Sequence, residues 1–257
     1  MILSENSVGH GPLPLVFFHG LFGQGKNFAG IAKAVGDLAT STLPDLPNHG
    51  ASPWTTEFDY DDLADLMGAW LRERFDDPVI LVGHSMGGKL AMRVALRYPE
   101  LISTLMVVDI SPARNDVSDQ FTHLIGALSR VPLEQVGSRT QAEAMLAEDV
   151  PDLGVRRFLL QNLRHKGGGF WYWTANLDLL SDALPSVLGW PPIDAVYDGP
   201  VAWVNGADSS YVQPEHRAPM RRLFPRTVQV AIKGAGHWVH ADQPERFVAV
   251  LRHVLSA

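Results

Sequence analysis

The chain contains no cysteine. Disulfides, thiolate metal sites and a cysteine nucleophile are thereby excluded. It also lacks a basic cluster. Its 21 Lys and Arg are outnumbered by 28 Asp and Glu, for a net charge of −7, which argues against nucleic acid or an anionic membrane surface as the main partner. No apolar run reaches the about 18 residues of a membrane span. The opening Met1-Ile2-Leu3-Ser4-Glu5-Asn6-Ser7 has neither a basic n-region nor a long apolar segment, so no membrane anchor and no signal peptide is expected, and a cytoplasmic location is the default. Internal repeats and low-complexity tracts are missing too. With 46% hydrophobic and 19% charged residues, the composition is that of a globular protein rather than a disordered one. A length of 257 residues suffices for a large core in one domain, or in one domain with an insertion.

What is present is most informative at Val79-Ile80-Leu81-Val82, an apolar run that ends in Gly83-His84-Ser85-Met86-Gly87. This is the G-x-S-x-G pattern, and the stretch from Gly88 to Arg97 behind it has helical character. Strand, tight turn and helix in that order form a nucleophile elbow, which holds a serine hydroxyl out into a cleft. Gly83 and Gly87 are expected because side chains would clash across so tight a turn and because glycine tolerates strained φ/ψ. The Met86 N–H then lies at a helix N-terminus, where it can stabilise negative charge.

The rest of the chain alternates in the same way. Further strands are expected at 13–18, 41–46, 103–110, 201–204 and 227–232, with helices over 24–38, 59–75 and 243–256. Such alternation predicts an α/β fold with a mostly parallel sheet covered by helices on both faces. The alternation stops between 112 and 195, where helical patterns and no convincing strand are found. Residues 1–111 and 196–257 are therefore expected to form the core, and 112–195 an inserted helical cap over the C-terminal ends of the strands.

A serine hydroxyl needs a base to take its proton. His237, in the Gly-rich loop Gly234-Ala235-Gly236-His237-Trp238 after the last strand, is placed to serve. His240 makes a spaced pair with it, but no third ligand or H-E-x-x-H pattern accompanies them, so neither metal nor cofactor is expected. The orienting acid has two candidates, Asp109 at the end of the strand after the elbow helix and Asp208 past the next strand. Both satisfy the chain order serine, acid, histidine. The loop His19-Gly20-Leu21-Phe22-Gly23 is the source of the second oxyanion donor, with the Leu21 N–H first and the Phe22 N–H as the alternative register. His19 itself is read as structural, since one base suffices.

Together, His19-Gly20-Leu21-Phe22-Gly23, Asn48-His49-Gly50-x-Ser52, Gly83-His84-Ser85-Met86-Gly87-Gly88-Lys89, Asp109-Ile110-Ser111-Pro112 and Gly234-Ala235-Gly236-His237-Trp238-Val239-His240-Ala241 resemble the α/β-hydrolases. Within them they resemble the group of short-chain acyl esterases and thioesterases that includes YbfF-type esterases, mitochondrial abhydrolase-domain proteins and yeast ethanol acetyltransferases. The resemblance implies Asp109 as the acid. It also implies a small-molecule acyl ester as substrate, with short acyl chains, resolved through an acyl-enzyme on Ser85. The chain departs from the group at Gly206-Ala207-Asp208-Ser209, where Gly-Gly-Asn-Ser is common and which keeps Asp208 in play, and at Pro47, where arginine is frequent. The same triad would also serve an alcohol acyltransferase, a cofactor-free perhydrolase or a C–C hydrolase, and the scaffold alone would serve a non-catalytic binding protein. Activity is expected to rise with pH as His237 loses its proton, since only neutral imidazole is a base. Phe22, Trp171, Trp173 and Trp238 are the candidate substrate-binding side chains. The stretch Gly167-Gly168-Gly169-Phe170-Trp171-Tyr172-Trp173 either walls the acyl pocket, with the glycines as a hinge, or docks the cap on the core. The sequence does not indicate an oligomeric state.

Overall fold

Leu15 and Phe17 pack into one buried cluster while Val16 and Phe18, which alternate with them, pack into another. That split is what period-two side chains do in a strand covered on both faces, and it explains a continuous apolar run rather than an alternating one. The computed structural model describes residues 1–115 and 118–256. In chain order its elements are β1 (Glu5–Val8), β2 (Leu13–Phe18), α1 (Ala29–Ala34), β3 (Ala39–Pro44), α2 (Tyr60–Arg74), β4 (Val79–His84), α3 (Met86–Arg97), β5 (Ile102–Val108), α4 (Ser118–Ser129), α5 (Arg139–Met145), α6 (Leu153–Leu160), β6 (Leu163–His165), β7 (Trp171–Trp173), α7 (Leu177–Asp182), α8 (Leu184–Leu188), β8 (Val201–Gly206), α9 (Arg217–Leu223), β9 (Thr227–Ile232), α10 (Val239–Asp242) and α11 (Pro244–Leu255).

Seven strands form one sheet in the order β1-β3-β2-β4-β5-β8-β9. Among the described residues of this sheet only β1 runs antiparallel to its neighbour. The expected α/β architecture is present, with two strand features that the sequence pattern did not announce. The first is β1, whose Glu5-Asn6-Ser7-Val8 stretch is polar because it lies at the sheet edge and buries little. The second is the antiparallel pair β6–β7, which registers Leu163 with Trp173 and His165 with Trp171. It lies inside the stretch expected to be wholly helical. Strands of three residues are too short for a period of two to show. Gly167, Gly168 and Gly169, all at positive φ (90°, 60° and 85°), turn the hairpin, and Phe170 N–H closes on Gly167 O at 3.2 Å. The glycines are thus the turn of a hairpin.

The layer of α1 and α11 covers one face through Phe28, Ile31, Val35, Phe247 and Leu251. The other face is covered by α2, α3 and α9, and its cluster runs on without a break into the residues of α4 to α8. Helix α2 starts on the side chain of Asp59, which accepts from the N–H groups of Asp61 and Asp62, an N-cap of the usual kind. The segment between β5 and β8 is tied down on two sides. Lys89 and Arg93 of α3 donate to the carbonyls of Leu188, Gly189 and Pro191. On the other side Asn162 Nδ2 donates to Phe22 O at 2.8 Å and Asn27 Nδ2 to Gln161 Oε1 at 2.8 Å.

Candidate active site

The strand order reverses at β2. Its successor β3 lies to one side and β4 to the other, so the loops leaving β2 and β4 meet at the C-terminal edge of the sheet, where open α/β sheets place their ligand sites. Register carries the construction further. Phe18 pairs with Gly83, His84 with Val108, Val108 with Val204, and Gly206 with Ile232. The residues just beyond these pairs are the His19–Gly23 loop, Ser85, Asp109, and the loop that carries His237.

Ser85 adopts φ 54°, ψ −121°, and its N–H donates to Val108 O at 3.1 Å. A non-glycine residue in this region is strained and is held there by its surroundings. Among the described residues four non-glycines have positive φ: Phe22, Asn48, Ser85 and Asp109. They follow β2, β3, β4 and β5 respectively, so the strain is concentrated at one edge of the sheet. The flanking glycines are not among the positive-φ residues. A Cβ on Gly83 would lie 2.4 Å from Gly87 O, and one on Gly87 would lie 2.4 Å from both Phe18 O and His19 O. Close backbone approach alone therefore requires glycine there. The strained φ/ψ expected of the glycines belongs to Ser85 itself.

His237 brings its Nε2 to 3.0 Å from Ser85 Oγ and its Nδ1 to 2.8 Å from Asp109 Oδ2. Asp109 is fully buried. Its Oδ1 accepts from Gly206 N–H at 3.0 Å, and its Oδ2 also accepts from Ser209 Oγ at 2.5 Å. Asp208 is exposed, and its N–H is turned to Ala235 O at 3.0 Å. Asp109, and not Asp208, therefore touches the imidazole. Three further groups hold the ring. His84 Nε2–H donates to His237 O at 2.8 Å. The Tyr211 ring stacks on His237 with centroids 3.6 Å apart at 17°. Tyr211 N–H in turn donates to Ser209 Oγ at 3.2 Å. Ser209 and Tyr211 carried no role in the sequence reading. The only trace of Ser209 is its place in the Gly206-Ala207-Asp208-Ser209 stretch, and no sequence signal marks Tyr211.

Met86 opens α3, so its N–H is one of the helix's unpaired donors. Gly23 N–H closes a tight turn on Gly20 O at 2.9 Å, with Phe22 at φ 61°. Among the described residues neither the Leu21 nor the Phe22 N–H meets an acceptor. His19 is buried and holds this loop. Its Nε2 accepts from Leu46 N–H at 2.9 Å, which leaves the Nδ1 proton for Gly20 O at 2.9 Å. Both ring nitrogens are engaged with backbone, the arrangement of a neutral structural histidine.

Two recesses meet at Ser85. The larger, about 30 Å³, is bordered by Phe22, Phe121, Phe158, His237 and Trp238 among others. The smaller, about 10 Å³, is bordered by Leu21, Met86, Lys89, Asn115 and Tyr211. Phe22 and Trp238 thus face the cavity, whereas Trp171 and Trp173 border neither recess. They lie on β7 and are half-buried against the continuous apolar cluster that runs from the sheet into α4 to α8, because alternate residues of a strand share a face. The aromatic and aliphatic wall near Ser85 comes instead from Phe121 and Leu124 of α4 and from Val155, Phe158 and Leu159 of α6.

A model of the alpha/beta hydrolase fold matches residues 14–244. The chain belongs to the α/β-hydrolase family. It is 37% identical over 255 residues to the sn-1-specific diacylglycerol lipase ABHD11 of Mus musculus, covering 96% of this chain and 83% of that protein. It is 30% identical over 247 residues to the esterase YbfF of Escherichia coli K12, covering 96% and 94%. A solved marine microorganism esterase superposes with a TM-score of 0.94 at 30% identity over 98% of both chains. Among the described residues of this α/β-hydrolase no helix is long and apolar enough to cross a membrane.

The buried histidines make the stability of this α/β-hydrolase sensitive to acid. Burial lowers His19 from 6.5 to about 4 and His49 to about 3, with the neighbouring His19 adding to the effect at His49. Below pH 6.5 the unfolded chain takes up these protons and the folded one does not, so stability falls with pH until the folded values are reached. Above that window these rings contribute no slope. Urea unfolding at pH 7 and pH 5 should show a loss of up to about 2 kcal/mol per ring. Equal stability at the two pH values would mean that the rings are charged in the fold.

Proposed function

We propose that this α/β-hydrolase is a serine esterase that hydrolyses short-chain acyl esters through an acyl-enzyme. The observation that carries the reading is the continuous hydrogen-bond path from Ser85 Oγ through His237 to the buried carboxylate of Asp109, at the floor of an apolar cavity. The relatives named esterase and lipase support the same chemistry.

In this reading Ser85 Oγ attacks the ester carbonyl as its proton passes to His237 Nε2. The carboxylate of Asp109 holds the Nδ1 proton and stabilises the imidazolium. The oxyanion receives hydrogen bonds from Met86 N–H and from Leu21 N–H, with Phe22 N–H as the alternative donor. The tetrahedral intermediate collapses, the C–O bond to the alcohol breaks, and His237 returns its proton to the departing oxygen. Water then repeats the sequence on the acyl-Ser85 ester and releases the acid. Residues 112–195 serve as the cap, with Phe121, Phe158 and Leu159 excluding water from the reacting centre.

Hydrolysis of p-nitrophenyl acetate and labelling by a fluorophosphonate test the reading. The wild type should do both, and Ser85→Ala should lose both, with turnover down by at least about 10⁴-fold. Full activity in Ser85→Ala would sink the scheme.

A further inference from the structure

One face of the His237 imidazole is covered by a ring that the proposed reaction does not use. Tyr211 lies over it with centroids 3.6 Å apart and planes 17° from parallel. Tyr211 is 8% exposed, and the His237 side chain is 12% exposed. The phenol ring is fixed through its backbone rather than through its hydroxyl. Tyr211 N–H donates to Ser209 Oγ at 3.2 Å, and Ser209 Oγ donates to Asp109 Oδ2 at 2.5 Å, so the segment that orients the acid also sets the ring. Among the described residues the Tyr211 hydroxyl meets no hydrogen-bond partner.

This stacking geometry has a charge preference. Two neutral aromatic rings favour offset or edge-to-face contact over close face-to-face overlap, because their negative faces repel. A cation over such a face is attracted to it. The arrangement therefore suits an imidazolium better than an imidazole. In the proposed esterase reaction, on which the inference rests, His237 begins neutral and becomes an imidazolium on taking the Ser85 proton. The contact is then stronger in the transition state than in the ground state, the condition under which an interaction speeds the chemical step. The titratable groups that face His237 from the surrounding elements are Asp109 beyond β5, His84 of β4, Ser85, His240 of α10 and Tyr211. Burial lowers His240 to about 4 and His84 well below 6.5, with the neighbouring imidazoles adding to both. Burial and then the Asp109 charge raise the Tyr211 phenol. No second cation therefore arises among these groups near neutral pH.

We propose that Tyr211 is a positioning residue for the reaction, whose ring face fixes the plane of the His237 imidazole and stabilises the imidazolium that forms as Ser85 attacks. The face of the ring, and not its hydroxyl, carries the effect.

The test compares the wild type with Tyr211→Phe, Tyr211→Leu and a chain carrying pentafluorophenylalanine at position 211, by turnover of p-nitrophenyl acetate across pH. Tyr211→Phe keeps the ring face and should stay within about twofold of the wild type. Tyr211→Leu should lower kcat and kcat/KM together by about 3- to 30-fold, with KM little changed. The acid limb of its kcat/KM profile should move to lower pH by about half a pH unit or more, because the imidazolium has lost a stabilising contact. Pentafluorophenylalanine keeps the shape of the ring and reverses the polarity of its face. It should therefore lose turnover and move the acid limb as Tyr211→Leu does, with the packing left in place, whether or not the leucine variant folds. A role in packing alone would leave this chain at the wild-type level. NMR titration of the His237 ring protons in the free protein should show the same downward move with no substrate present. Wild-type turnover with pentafluorophenylalanine, a loss in Tyr211→Phe equal to that in Tyr211→Leu, or an acid limb that stays in place or moves to higher pH would overturn the proposal. Loss of p-nitrophenyl acetate turnover in Ser85→Ala reports on the esterase reading separately.

Discussion

Asp109→Asn should lower kcat on p-nitrophenyl acetate by about 10⁴-fold, while Asp208→Asn should stay within about twofold of the wild type. The asymmetry follows from where the two carboxylates lie. Asp109 takes three donors at once: Gly206 N–H on one oxygen, and the Ser209 hydroxyl and the His237 ring on the other. An asparagine in the same place would keep its carbonyl oxygen on Gly206 N–H, because that donor is fixed in the backbone. Its NH₂ would then face His237 Nδ1, which could only accept. The ring proton would be forced to Nε2, the atom 3.0 Å from Ser85 Oγ, and the base would enter the reaction with its basic site already occupied. The buried shape is nearly unchanged, so the loss should fall in kcat with the protein folded, as thermal unfolding can verify. Asp208 is exposed, and replacing it alters nothing that touches the ring. If Asp208→Asn were the damaging change, the acid would have to reach His237 in a different arrangement from the one described.

The loops that carry these groups were legible because tight backbone approach demands specific residues in a fixed order. Gly83 and Gly87 bracket Ser85, Gly20 and Gly23 bracket the candidate oxyanion donors, and Gly234 precedes His237. The parallel sheet was legible because strands such as β2 and β4 are buried on both faces. Spacing alone left Asp109 and Asp208 equal. Strand register separates them, because Asp109 directly follows Val108, the partner of His84, whereas Asp208 lies two residues past the end of β8. Contacts made across long separations left no local pattern. Tyr211 on His237 and Ser209 on Asp109 both belong to this group. The aromatic stretch at 171–173 was conspicuous in the sequence for its composition, but composition does not say which way a strand faces. Trp171 and Trp173 are half-buried against the continuous apolar cluster and away from Ser85, and the cavity wall is built by α4 and α6, whose Phe121 and Phe158 look like ordinary core positions of amphipathic helices.

Gly87→Ala should disable the site even if the chain still folds. The added Cβ would lie 2.4 Å from Phe18 O and from His19 O, and backbone oxygens at the end of a central strand cannot turn aside as a flexible side chain would. Relief requires α3 to withdraw from the end of β2 by about 1 Å, to reach an ordinary carbon–oxygen separation near 3.4 Å. That motion separates the Met86 N–H from the His19–Gly23 loop, and the two sides of the oxyanion site move apart. A displacement of this size costs about 10²-fold in rate, and the overpacking itself costs about 1–3 kcal/mol of stability. Gly30→Ala is the matched control. A Cβ there meets nothing within 4 Å in α1, so the same substitution should leave activity intact and raise stability by about 0.5–1 kcal/mol. Urea unfolding and p-nitrophenyl acetate turnover on the two variants decide the matter. If Gly87→Ala retained wild-type turnover, the elbow would have to tolerate an opening between α3 and β2, and the oxyanion would have to be held without donors from both.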